Sequence, residues 1–158
     1  ISSPNTPDLR DLQNDKLLDP LLSGIKSHRE QWSKANKIKS PPCLLKISPD
    51  ETFKSIETIV SKAIEYELDG IIACNTSIKP TAQFQKIPNL PKGGISGKPI
   101  ESKANQVIKF VTKLTEASLP IIGSGGVYDY ESAQRKLDAG LIDTNTFWNY
   151  YRACQSEY

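Results

Sequence analysis

Apolar residues fall at helical spacing in three stretches of the chain and in short unbroken runs in three others. Leu17, Leu18, Leu21, Leu22 and Ile25 lie three and four apart. They predict an amphipathic helix that fades into a charged and polar linker from Lys26 to Lys39. Pro41 and Pro42 punctuate the chain, and Cys43 to Ser48 then reads as a short buried strand closed by Pro49-Asp50. Phe53, Ile56, Ile59, Val60, Ala63 and Ile64 share one face of a second helix that ends before Gly70, with Asp50 placed to cap it. Gly70 to Cys74 and Pro120 to Gly123 are the next two strands. Between them Ala104, Val107, Ile108, Val111 and Leu114 mark a third helix, and Glu131 to Asp138 a short fourth, capped by Asp129 and stopped by Gly140.

Strand and helix alternate, which implies an α/β fold with a parallel sheet covered on both faces. The spacing from Lys46 to Asn75 suits one βαβ unit. Two architectures remain open on pattern alone: a doubly wound sheet, or part of an eight-fold barrel, which when complete takes roughly 250 residues. Only three strands are counted, plus the tail of an earlier one at Ile1. No internal repeat or low-complexity tract interrupts them.

Composition narrows the class rather than the function. The 158 residues carry 37% hydrophobic and 24% charged side chains and a formal net charge of +2, which suits one globular domain and demands no nucleic-acid partner. Cys43, Cys74 and Cys154 show neither metal-ligand spacing nor a disulfide framework. No apolar run approaches the roughly 18 residues of a membrane span, and no signal peptide opens the chain. Any membrane link is therefore expected outside this sequence. The chain contains no methionine and opens on Ile1 inside a motif, so it reads as a fragment.

Chemistry in parallel α/β folds gathers at the carboxyl ends of the strands, where Ser3, Lys46, Asn75 and the Gly123 turn all fall. Ser2 to Pro7 is polar, and the two prolines hold Ser3 and Thr6 extended; on composition alone it is a surface turn. Lys46 interrupts an apolar strand, either pairing with Asp50 at the strand end or lying beside an anionic group. Asn75-Thr76-Ser77 offers donors and acceptors directly after a strand, although a strand-terminal Asx turn reads the same way. Gly93-Gly94-Ile95-Ser96-Gly97 and Gly123-Ser124-Gly125-Gly126 are turns whose backbone amides can approach a phosphate. His28, the only histidine, stands in a charged run, so a histidine-dependent triad is not expected within the chain.

The run Ser-Ser-Pro-Asn-Thr-Pro-x-Leu-Arg-x-Leu-Gln, from Ser2 to Gln13, resembles the active-site loop of the quinone-dependent, membrane-associated dihydroorotate dehydrogenases. The resemblance recurs at Leu-x-Lys-Ile-x-Pro-Asp, at Asn75-Thr76 and at both glycine turns, and covers roughly residues 1–140. It implies the later half of a TIM (β/α)8 barrel, lacking the first strands and strand eight, that binds flavin mononucleotide (FMN). It further implies oxidation of dihydroorotate to orotate in UMP biosynthesis, with a quinone as acceptor docked by N-terminal helices outside this chain. Ser3 would be the general base, where cytosolic relatives carry cysteine, and Thr6 its proton relay. Asn5, Asn75 and Thr76 would hold the substrate; Lys46, Cys74, Ser96, Gly97, Ser124, Gly125 and Gly126 would hold FMN. Cys74 replaces the usual threonine, which weakens one hydrogen bond to the cofactor. The membrane would be the mitochondrial inner membrane in a eukaryote and the cytoplasmic membrane in a bacterium.

After Gly140 the polar and aromatic run Leu141 to Arg152 lacks strand alternation, so residues 141–158 are expected to be a divergent tail to a 1–140 partial barrel domain. A chain without its outer strands would be inactive alone. The competing reading is a truncated, non-catalytic α/β piece or interaction module without cofactor; a second is another FMN barrel, of the dihydropyrimidine or dihydrouridine reductase type, with cysteine in place of Ser3.

Overall fold

The computed structural model describes residues 1–6, 8–79, 93–116 and 118–140. Three strands, β1 (Leu44–Ile47), β2 (Gly70–Ala73) and β3 (Ile121–Gly123), form one parallel sheet in the order β1-β2-β3. Lys46 stands opposite Ile72, and Ile72 opposite Ile122. Helices α2 (Phe53–Glu65) and α3 (Glu101–Thr115) make the two crossovers, with α1 (Asp15–Asn36) before β1 and α4 (Tyr130–Asp138) after β3.

The helices lie on one face of this sheet, not on both as the alternation suggested. Leu45, Ile47, Ile71, Ala73 and Ile121 are buried against helix residues such as Leu22, Ile56, Ile59, Val107 and Ile108. Their strand neighbours Leu44, Ile72 and Ile122 are half-buried and Lys46 is exposed. Topology explains the difference. Right-handed crossovers between strands laid down in sequential order all deposit their helices on the same side, and only a reversal of strand order sends later helices to the other. The unreversed order fits a barrel-type sheet and is also that of one half of a doubly wound sheet.

Two local expectations also change. The charged run after Ile25 is helix, not linker: α1 continues to Asn36, where Lys37 takes a left-handed conformation and its N–H bonds the Ser33 carbonyl. No Gly or Pro breaks the run, and its charges dock on the segment entering β2, Lys26 on Glu67 and Arg29 on Asp69 (2.9 Å) and on the Pro41 carbonyl (2.6 Å). The first loop is not wholly irregular either, since Leu9–Gln13 forms a 3-10 turn.

The N-cap of α2 is Thr52, whose hydroxyl accepts from Ser55 N–H at 3.1 Å, leaving Asp50 to turn inward. Asp129 does cap α4, in a reciprocal capping box with Ser132. Lys136 of α4 is only 2% exposed and donates to Asn105 Oδ1 at 2.7 Å. Burial lowers its pKa from the usual lysine value. Nothing in the local residue pattern marked this amine for burial. Residues 141–158, expected to form a divergent tail, lie outside the described residues.

Candidate functional site

The carboxyl edge of the sheet gathers four loops. The exit of β2 is stitched to both neighbours, Asn75 N–H to the Ile47 carbonyl (2.9 Å) and Cys74 N–H to the Ser124 carbonyl (3.0 Å), with Ser124 N–H returning to Ala73 (2.7 Å). The opening loop comes in above them. Ser2 is buried, and its hydroxyl accepts from Asn75 Nδ2 at 3.1 Å. Asn75 Oδ1 in turn accepts from Thr76 N–H at 2.9 Å. Each end of the Asn75 amide is therefore half used, with one donor and one lone pair left over.

Ser3 follows directly. Its hydroxyl accepts from Asn5 N–H at 3.3 Å and from Thr6 Oγ1 at 3.4 Å, while Asn5 and Thr6 are exposed. The other glycine segment closes on the same point. Ser77 and Ile95 form an antiparallel bridge (Ser77 N–H to Ile95 O 3.0 Å, Ile95 N–H to Ser77 O 2.7 Å). A Cβ on Gly94 would lie 1.9 Å from Thr76 Oγ1 and 2.9 Å from Pro4 Cγ, so only glycine permits this approach. The loop that carries Ser3 and Asn5 is thus brought to Asn75 and Thr76 through Ser2 and Pro4, from segments some seventy positions apart.

The two glycine turns also meet. Ser96 and Gly97 are exposed and lead into a 3-10 turn, Lys98–Ile100. Ile100 packs beneath Gly125, and Gly126, at φ +79°, sits where a Cβ would be 2.4 Å from the Glu101 Cα. The amides of Gly125 and Gly126 donate to no acceptor among the described residues. Lys46 projects from the open sheet face with no carboxylate partner among those residues; it does not pair with Asp50.

Cys74 departs from the expected arrangement. Its side chain is 2% exposed among core residues, and burial pushes the thiol up to about 12. Lys136 and Lys103, which lie on the helix layer, are the nearest cations to it. The thiol is a core group, so Cys74 offers the open face its backbone and not its side chain.

Asp50 is the residue that sequence reasoning misjudged most. Its carboxylate, 5% exposed, pairs with Arg10 (3.0 Å) and Lys103 (2.5 Å) and also accepts from Ser77 Oγ and Ile78 N–H. Burial pushes its pKa up, but the bonds from Lys103, Ser77, Ile78 and Arg10 outweigh it and hold the group at about 2. Gln13 extends the contact, donating to Glu51 and accepting from Ser48 N–H. Arg10 and Gln13 belong to the opening motif, which was the available signal. Their partners, some 40 positions away, carried none.

A free-standing pair of glycine amides, an unpaired lysine on the open face and a serine with hydroxyl and amide neighbours fit a phosphorylated, anionic cofactor such as FMN. Among the described residues no group of histidine, cysteine and acidic side chains could hold a metal, and no helix is long and apolar enough to cross a membrane.

The family described as dihydroorotate dehydrogenase matches residues 1–152. A quinone-type dihydroorotate dehydrogenase of Acaryochloris marina is 41% identical over 158 residues, covering 95% of this chain and 40% of its own. One from Wigglesworthia glossinidia brevipalpis is 42% identical over 142 residues, covering 89% and 41%. The crystal structure of Eimeria tenella DHODH in complex with ferulenol superposes with a TM-score of 0.79 at 30% identity, covering 89% of this chain and 40% of that one. The chain spans about two fifths of the length of these relatives. With a match that runs almost end to end and a fold that agrees, this chain belongs to the dihydroorotate dehydrogenase family.

Proposed function

We propose that this chain is the later part of a TIM-barrel flavoenzyme that oxidises dihydroorotate to orotate in pyrimidine biosynthesis, with FMN as cofactor and a quinone as final acceptor. The observation that carries the reading is the meeting of the opening loop, through Ser2 beside Ser3, with Asn75, Thr76 and the Ser124 turn at one edge of the parallel strands. Bound FMN would accept the hydride from C6 of dihydroorotate. Lys46, Ser96, Gly97, Ser124, Gly125 and Gly126 would hold it: the glycine amides and serine hydroxyls toward the phosphate, and the Lys46 ammonium toward the edge of the ring where negative charge builds. Cys74 would contribute through its backbone.

Ser3 acts as the base at C5. A serine hydroxyl must pass its own proton on as it takes another, and Thr6, at 3.4 Å and exposed, gives that proton a way to solvent once its hydroxyl turns from donating to Ser3 to accepting from it. Asn5, with the spare donor and acceptor of Asn75 and the hydroxyl of Thr76, orients the imide and carboxylate of the substrate. The remaining barrel strands, the quinone site and the membrane contact belong to segments outside residues 1–158. Residues 1–140 form the FMN-binding part, and the membrane is mitochondrial in a eukaryote and cytoplasmic in a bacterium.

The test joins this chain to the rest of a family-length protein and measures flavin absorbance and dihydroorotate-dependent quinone reduction. Ser3→Ala should lower kcat by about 100-fold or more while FMN stays bound, and Ser3→Cys should retain more activity than Ser3→Ala. A colourless protein without dihydroorotate turnover would sink the reading.

A further inference from the structure

Asp50 draws together three segments far apart in sequence. Oδ2 accepts from Arg10 Nη1 at 3.0 Å and from Ile78 N–H at 2.8 Å, and Oδ1 from Ser77 Oγ and Lys103 Nζ, both at 2.5 Å. Its carbonyl takes Lys79 Nζ at 3.1 Å. Four donors use about all the lone-pair directions a carboxylate has, so the group cannot turn toward a ligand. Arg10 bonds in two directions: Nη1 holds Asp50 and Nη2 donates to the Thr76 carbonyl at 3.0 Å, while its buried Nε has no acceptor among the described residues.

Resting on the function proposed above, we infer that Asp50 and Arg10 are positioning residues, the carboxylate aiming a guanidinium fork that locks the Ser3 loop to Thr76. The fork spans the two segments that supply the base and the substrate contacts. Arg10 is the single side chain among the described residues that bonds both Asp50 and the Thr76 carbonyl. Lys103 balances Asp50 from α3 but reaches neither loop. The two cations on one carboxylate therefore have separable roles.

Hydrogen–deuterium exchange on the family-length protein, without flavin or substrate, tests this independently of the reaction. Arg10→Gln and Asp50→Asn should speed exchange about tenfold at Asn5, Leu9, Thr76 and Ile78, with the amides of β1 and β2 unchanged. Lys103→Gln should leave Asn5, Leu9 and Thr76 at the parental rate. Arg10→Lys keeps the charge but cannot span both acceptors, so it should behave as Arg10→Gln. In the flavin-loaded, family-length protein, Arg10→Gln should lower kcat for dihydroorotate by about tenfold to a hundredfold with FMN affinity unchanged. Unchanged exchange in Arg10→Gln, full rescue by Arg10→Lys, or an equal rise in Lys103→Gln or across the strands would overturn the inference. Altered exchange with no dihydroorotate turnover in the parent would instead defeat the enzyme reading and leave the fork standing.

Discussion

Replacing Gly126 by alanine tests the packing of the two glycine turns. The residue has φ +79°, a left-handed conformation that costs an ordinary residue about 1–2 kcal/mol. The added methyl would also lie 2.4 Å from the Cα and 2.9 Å from the backbone nitrogen of Glu101, the first residue of α3. Those atoms cannot rotate away, so α3 or the turn must shift, at a cost of about 1–3 kcal/mol for overpacking. The two costs together predict a loss of about 2–5 kcal/mol, a large share of the roughly 5–15 kcal/mol typical of a domain. Gly24→Ala is the control. It lies within α1 with no atom within 4 Å of the added carbon, and should stabilise by about 0.5–1 kcal/mol. Urea unfolding followed by circular dichroism measures both. Equal midpoints for Gly126→Ala and the parent would refute the close approach of the two turns.

Acid should weaken the fold through Asp50. Its folded pKa of about 2, against about 3.9 in an unfolded chain, contributes about 2 kcal/mol that is present above pH 4 and lost as pH falls toward 2. Asp50→Asn should flatten that part of a pH series of urea midpoints. A thiol reagent at neutral pH should label half-exposed Cys43 well before Cys74, whose buried thiol sits at about 12, as peptide mapping of a short reaction would reveal. Asp129→Ala removes the cap of α4 and should cost about 1 kcal/mol by the same unfolding assay.

The strands and the second and third helices were legible because their apolar spacing is regular, the fourth because a cap and a glycine stop bound it, and each boundary fell within a few residues of that expected. What the pattern could not carry was pairing at a distance. Asp50 looked like a cap because it precedes a helix by a turn, yet its carboxylate answers to Arg10 and Lys103. The stretch from Lys26 to Asn36 looked like linker because its stabilising partners, Glu67 and Asp69, stand beyond the next helix. Cys74 was assigned to the cofactor by its place in the resembled motif, and its burial among core side chains depends on packing that one sequence does not encode locally. The placing of the opening loop beside Asn75, through the Ser2 hydroxyl, follows from the strand ends, since the carboxyl edge of a parallel sheet is fixed once the strands are known.

The paired bonds between Ser77 and Ile95 carry a consequence for how the chain could vary. They clasp both ends of the connection between β2 and α3 at a fixed separation, whatever lies in between. Closing a longer loop costs only about 0.6 kcal/mol for each doubling of its length. Extra residues grafted between Lys79 and Gly93 should therefore be absorbed cheaply, with the geometry around Thr76 left as it is.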